Sequence, residues 1–357
     1  MQKICMYGRT CAQRMLDHTY KRKRTLRARK QRLSNVERVV IVMNVPMTAP
    51  HLKEDKHSPP ERRHLQRRAF TPYLFMVPFS IFFFFFFIVP IGYTLIESLF
   101  VQHRTGLGLA PPTTSFGGWE NYAHVFTDTV FYQSILRVLL FGIVNIPVTL
   151  ILALILALLL DERRIPFRGF FRVAFFLPYA IPSVIAALLW GFLYSPQLSP
   201  ITDLLNHFGI AFDFLDTGSV LWSISNIVTW TYAGYNMVIL IASLQAVPVE
   251  LYEAARMDGA TRFGIVRFIK IPLIAPALIL TGIFSIIGTL QLFNEPEVLA
   301  GVSNNITSTY TPNIYIFNVA FHNGDFYYAA ALATVLAFFT FIFSFGFLWL
   351  TRRQAGV

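Results

Sequence analysis

Apolar residues dominate this chain in runs near the roughly 20 residues that a helix needs to cross the hydrocarbon core of a bilayer. Six such runs are predicted as spans, at about Tyr73–Phe100, Ser134–Leu160, Phe170–Tyr194, Val220–Ala246, Ile271–Phe293 and Tyr327–Leu350. Pro78 and Pro90 are predicted to kink the first, and Pro147 lies inside the second. Between the fourth and fifth runs lies an unusually polar stretch, Val247–Pro272, read as VPVELYEAARMDGATRFGIVRFIKIP. Pro248 suits a first helical position, where its missing N–H would be unpaired anyway. Glu250 and Glu253 fall early in this helix, where the dipole favours anions, and Arg256 follows Glu253 at a spacing that lets the two pair on one face. Asp258-Gly259 is a turn signal, and glycine makes a left-handed helix stop cheap. A second short helix is expected from Thr261 towards Lys270, and Pro272 opens the next apolar run. The stretch therefore predicts a helix–turn–helix elbow projecting on one side of a membrane. Ala254 and Ala255 give it a patch of small side chains that another protein could approach closely.

Charge orders the loops. Arg163, Arg164, Arg168 and Arg172 follow the second run; the elbow carries Arg256, Arg262, Arg267 and Lys270; the end of the chain carries Arg352 and Arg353. Ser195–Ser219 and Asn294–Phe326 contain no Lys or Arg, and Val101–Gln133 has only Arg104. This positive-inside pattern predicts cytoplasmic termini and a cytoplasmic elbow. The remaining loops then face outward, with Trp119, Tyr122, Trp222 and Tyr310 expected near the interfaces.

Composition agrees: 55% hydrophobic and 14% charged residues exclude an ordinary soluble domain. The net charge of +11 belongs to a tail, because residues 1–72 hold 18 of the 30 Lys and Arg but only 5 of the 19 acids. Residues 1–70, with the run Lys21-Arg22-Lys23-Arg24, are basic and Pro-punctuated and are expected to be disordered. Three readings of this tail stand: a segment drawn to anionic headgroups, a nucleic-acid arm, or sequence upstream of a true start at Met43 or Met47. No folded nucleic-acid reader is visible, and no nucleic acid is expected as a partner. Val39–Val45 is too short to span a bilayer and lacks a cleavage site. Cys5 and Cys11 both lie in the tail, so residues 71–353 hold no intrachain disulfide or thiolate metal site.

Candidate chemistry is sparse. A phosphate-cradling loop needs Gly-Lys-Ser/Thr, and no Gly-Lys pair occurs in the chain. ATP hydrolysis is therefore not expected here. A carrier driven by an ion gradient buries ionisable groups near mid-membrane, and the centres of the last four runs hold none. Glu97 and Arg137 sit near outer ends, as interfacial or snorkelling residues. The histidines outside the tail (His103, His124, His207, His322) show no metal-ligand spacing.

The elbow also carries a resemblance. Glu253-Ala254-Ala255, then Gly259, then Ile269 and Ile271-Pro272 resembles the EAA loop of binding-protein-dependent ABC importer permeases, with Ile271 in place of the family's Leu. Leu244–Gly259, LQAVPVELYEAARMDG, is similar to the carbohydrate branch, most of all to the first permease of maltose-type and glycerol-3-phosphate-type systems. The resemblance implies an all-α integral membrane fold, a six-transmembrane-helix permease bundle over residues 71–353 with a coupling-helix elbow at residues 247–272. It implies a non-catalytic subunit that translocates a sugar or related polyol in the inner membrane of a bacterial-type cell. ATP and Mg would be bound by a partner ABC ATPase dimer docked on Glu253, Ala254, Ala255, Arg256, Asp258 and Gly259. A second homologous permease and an extracytoplasmic solute-binding protein complete the implied assembly. A sugar needs hydroxyl, amide and aromatic partners. Tyr232, Tyr235 and Asn236 on the fourth run, and Ser285, Thr289 and Gln291 on the fifth, are the candidates for its path, with Asn294 following Gln291 at the outer end. Ser285, Thr289 and Phe293 are expected on one helix face. Trp190, Tyr194 and Trp230 are expected to pack or anchor. The alternative from another class is a self-contained secondary carrier or channel, which requires a titratable site inside the bundle.

Overall fold

The computed structural model describes residues 63–103, 112–162, 165–196 and 199–355. The basic tail at residues 1–62, and Arg163 and Arg164 of the basic loop, lie outside the described residues. Residues 1–74 and 75–357 are two separate units. The first described helix, α1 (Arg63–Phe83), runs through a π turn (Phe84–Ile88) into α2 (Val89–Glu97). The irregularity expected at Pro90 is this π turn, whereas the helix runs unbroken through Pro78. Pro90 has no N–H, and its ring crowds the carbonyl four residues back, so the preceding turn widens. The same arrangement recurs before Pro272, where a π turn (Val266–Lys270) precedes the next long helix. The rings of Phe82–Phe87 are all exposed along a window with no buried residue, the composition of a lipid-facing surface.

A short antiparallel hairpin follows, β1 (Phe100–His103) with β2 (Thr113–Phe116), in which Phe100 faces Phe116 with ring centroids 5.7 Å apart. Then come α3 (Glu120–Thr127) and α4 (Thr129–Asp161). The third apolar run departs from expectation. It is not one rod but two helices, α5 (Arg168–Ala180) and α6 (Ser183–Tyr194), bent by 95°. The cause is local: Ile181 precedes Pro182 and is driven to an extended conformation at φ −79°, ψ 129°. After α7 (Pro200–His207), helix α8 (Val220–Gln245) matches the fourth run closely. The elbow comprises α9 (Val249–Met257), α10 (Arg262–Ile265) and the π turn that leads into α11 (Ile271–Leu290). Helices α12 (Asn294–Leu299) and α13 (Pro312–Phe317) precede the long α14 (Phe326–Ala355). Among the described residues, five stretches are long and apolar enough to cross a membrane, or six if the bent pair is one span.

Helix α4 lies chiefly against α8. Near the elbow end, Ala153 and Ala157 are fully buried and let Met237, Leu240 and Leu244 approach closely, as small residues do between membrane helices. Helix α5 crosses α8 at Gly234, where a β-carbon would stand 1.7 Å from the Phe175 carbonyl oxygen, so only glycine admits the crossing.

At the end opposite the elbow, two expectations are corrected. Arg137 does not snorkel: its Nη1 donates to the Tyr310 carbonyl at 2.8 Å, and its guanidinium lies 4.6 Å over the Tyr310 ring. Tyr310 is a buried core residue rather than an interface anchor; burial raises its hydroxyl pKa, against a smaller lowering by Arg137. Asp128 gathers three elements there. Its Oδ1 caps α4 by accepting from the Val130 and Phe131 N–H groups, while Oδ2 accepts from the hydroxyls of Tyr315 on α13 and Tyr328 on α14, both at 2.7 Å.

Candidate functional site

Two features stand out: a cavity halfway along the bundle and the elbow below it. The cavity has a volume of about 210 Å³. All six residues expected on the substrate path line it: Tyr232, Tyr235 and Asn236 from α8, Ser285 and Thr289 from α11, and Gln291 just beyond. Tyr232 lies at the middle of α8. Phe293 lines the cavity too, although α11 ends at Leu290 and Phe293 has left the helix face shared by Ser285 and Thr289.

Sequence reasoning missed four polar groups in the lining: Asn145 and Thr149 on α4, Ser183 at the start of α6, and Glu295 on α12. Asn145, at the middle of α4, donates to the Ser225 carbonyl, the Ser225 hydroxyl and the Thr229 hydroxyl, each at 3.0 Å, and Thr149 pairs with Thr229 at 3.0 Å. This buried network joins α4 to α8 and supplies the cavity's polar wall. A lone Asn inside an apolar run was its available signal. Ser183 arrives through the Ile181–Pro182 break, and its hydroxyl accepts from the Asn294 amide at 2.9 Å. Broken helix at membrane depth is tolerated where it is buried or lines a cavity, and here it does the latter. Glu295 comes from a segment read as outward loop. Instead, α12 folds back against α6 and α8 and buries Glu295 to 6% exposure. Tyr179 stacks on Tyr235 at 4.5 Å and packs edge-on to Tyr232, fixing both lining rings from behind. Trp190 packs tilted against Tyr194 and edge-on to Trp230, and the Tyr194 hydroxyl donates to the Ser223 carbonyl at 3.2 Å.

The elbow projects freely. Glu253, Ala254, Arg256, Asp258 and Gly259 are exposed and Ala255 is half-buried. Gly259 takes φ +81°, the left-handed stop expected of it. Thr261 caps the second helix, its hydroxyl accepting from the Gly264 N–H at 3.1 Å. Two details differ from expectation. Pro248 flanks α9 in an extended conformation instead of opening it, and Glu253 and Arg256 form no ion pair. At i, i+3 on an exposed helix such a pair is worth only a few tenths of a kcal/mol. The elbow's ion pair is elsewhere: Lys270 Nζ lies 2.6 Å from Asp161 Oδ2 at the end of α4 and 5.3 Å over the Tyr252 ring. Burial raises the Tyr252 hydroxyl pKa, with Asp161 adding to it. Arg172, expected in a loop, lies on α5 and also reaches this end of α4, donating to the Leu160 carbonyl at 3.3 Å.

The family described as the binding-protein-dependent transport system inner membrane component matches residues 149–356. This chain belongs to that family. The matched region of the permease holds the elbow and most of the cavity wall. The probable ABC transporter permease protein YurN of Bacillus subtilis (strain 168) is 32% identical to it over 78% of this chain and 95% of its own. The lactose transport system permease protein LacF of Rhizobium radiobacter is 32% identical over 71% and 86%. The diacetylchitobiose uptake system permease protein NgcF of Streptomyces coelicolor is 30% identical over 83% and 86%. In fold, the permease is similar to the crystal structure of a bacterial ABC transporter involved in the import of the acidic polysaccharide alginate. The TM-score is 0.68 at 20% identity, over 82% of this chain and 99% of that one. The permease is thus a multi-pass inner-membrane protein.

Proposed function

We propose that this permease translocates a sugar or related polyol as one subunit of an ATP-driven importer, and that its elbow is the dock for the ATPase subunits. One observation carries the reading: α8 and α11 both line the cavity, and the exposed elbow is the link between them. A push on the elbow therefore acts on two cavity walls at once. Glu253, Ala254, Ala255, Arg256, Asp258 and Gly259 form the docking surface, with the small residues admitting close approach and Glu253 meeting a basic group. The loop charges orient the elbow and both termini to the cytoplasm. A second, homologous permease and an extracytoplasmic binding protein complete the assembly, and relatives named for lactose and diacetylchitobiose transport support a carbohydrate cargo. The importer alternates between inward-open and outward-open states biased by nucleotide and solute. The chain itself performs no covalent step.

The test is detergent affinity purification of the tagged chain, with and without Glu253→Lys, followed by mass spectrometry. The native form is expected to recover an ATPase and a second permease; the variant is expected to reach the membrane but lose the ATPase. A variant that still assembles and transports overturns the docking role. A native chain that purifies alone and transports a solute without ATP returns the reading to a self-contained carrier.

A further inference from the structure

We infer that Glu295 sets the charge class of the solute: its carboxylate accepts hydrogen bonds from neutral sugar hydroxyls in the cavity and turns away solutes that carry phosphate or carboxylate. This rests on the reading of the chain as a sugar-translocating subunit.

Glu295 is 6% exposed, and what it shows opens on the cavity it lines. Among the described residues, no Lys or Arg belongs to that lining. Among the described residues no cation pairs with it and no other residue donates to its carboxylate; its own backbone N–H is its hydrogen-bond partner. A carboxylate removed from water without donors is costly, so such groups are normally paired. Here the missing donors are those a solute can bring. Two hydroxyls on adjacent sugar carbons can donate to the two oxygens of one carboxylate. The Asn145, Gln291 and Asn294 amides and the Ser183 hydroxyl supply further polar partners, and Tyr232 and Tyr235 supply faces. A phosphate or uronate in the same space would place like charges a few ångströms apart, with no cation in the wall to offset them. At the low effective dielectric of such a site this penalises an anion on the order of 10- to 100-fold. An importer of the same fold takes an acidic polysaccharide, so charge class is a matter of side chains rather than of architecture.

The experiment uses the importer purified with its partners but without the binding protein, in detergent, where solutes reach the cavity directly. Apparent affinities at neutral pH are measured for maltose, lactose and N,N′-diacetylchitobiose, for glucose 1-phosphate and digalacturonate, and for the cationic disaccharide chitobiose. The native complex is expected to bind at least one neutral disaccharide and to favour it at least about tenfold over either anion. Glu295→Gln, of the same shape without the charge, is expected to lower that ratio at least about tenfold, and Glu295→Asp to restore part of it. An unchanged ratio in Glu295→Gln, native binding of anions as tight as of neutral sugars, binding of chitobiose alone, or binding of no solute each overturns the inference. Uptake driven by a proton gradient and lost in Glu295→Gln overturns it in favour of a proton-relay role. ATP hydrolysis by the same preparation separates the two levels. A complex that hydrolyses ATP without discriminating charge sinks only the role of Glu295, whereas a chain that never recovers an ATPase sinks the importer reading as well.

Discussion

Lys270 closes on Asp161 across 2.6 Å, tying the last turn of the elbow to the end of the helix that carries Asn145. Both side chains are mostly buried, at 14% and 17% exposure, so water does little to screen them. Lys270→Met strands a carboxylate and is expected to cost about 2 kcal/mol. Asp161→Asn is expected to cost less, because the amide oxygen still accepts from Lys270, which keeps the Tyr252 face. The exchange Asp161→Lys with Lys270→Asp should recover part of the loss. Thermal unfolding in detergent reads all three; equal losses for the two single variants would show that the pair is not what holds this corner.

The crossing of α5 on α8 makes a second prediction. Gly234→Ala puts a methyl 1.7 Å from a backbone oxygen that cannot step aside, so the helices must part. A loss of about 3 kcal/mol or more is expected, with reduced yield of folded protein. Gly288→Ala is the control: nothing lies within 4 Å of its added methyl, so stability should hold while the methyl narrows the cavity it lines.

Asn145 is the hub of the buried polar wall. Asn145→Ala strips the Ser225 hydroxyl of its donor, while Thr229 keeps Thr149, and is expected to cost about 1–3 kcal/mol. Asn145→Leu is expected to be at least as costly, because it adds bulk where Asn was bonded. Thermal unfolding combined with solute binding checks this, since Asn145 both joins α4 to α8 and faces the cavity.

Acid should loosen the opposite end of the bundle. Burial pushes the Asp128 carboxyl pKa up, but hydrogen bonds from Tyr328, the Phe131 N–H, Tyr315 and the Val130 N–H outweigh it and hold the pKa below the ordinary carboxylate value. A group depressed in the folded state stabilises above its unfolded pKa, and that contribution disappears as pH falls through the folded one. As pH falls through and below the ordinary carboxylate range, amide exchange at the start of α4 and in α13 should therefore quicken. Asp128→Asn should remove that acid dependence and leave exchange near the elbow unaltered.

Much of this was legible in the chain. Helix α8 begins at the residue expected and ends one residue early, because length and apolarity suffice to define a span with no break inside it. The elbow's two helices and the Gly259 stop follow from capping and turn chemistry that act within a few residues. What escaped depends on distant partners. Arg137 finds Tyr310 from 173 residues away, and nothing in the local pattern distinguishes that from snorkelling. Glu295 enters the cavity only because α12 packs on α6, and α6 is placed by the bend at Ile181–Pro182. A proline in an apolar run commonly means a mild kink, so the run alone could not give a 95° turn.

The helix α2 meets its main described packing partner in α14, with the Phe100 ring 6.3 Å from Tyr327 just beyond it. On a ribosome these partners are separated in time by most of the polypeptide. The earliest described span is made well before the cavity helices and the elbow, and gains this neighbour only when α14 emerges. A chain cut short after α12 would hold every group assigned to solute and ATPase, yet would leave α2 without that partner. The α2–α14 contact therefore forms only once α14 has been made, and any chain truncated before that helix lacks it.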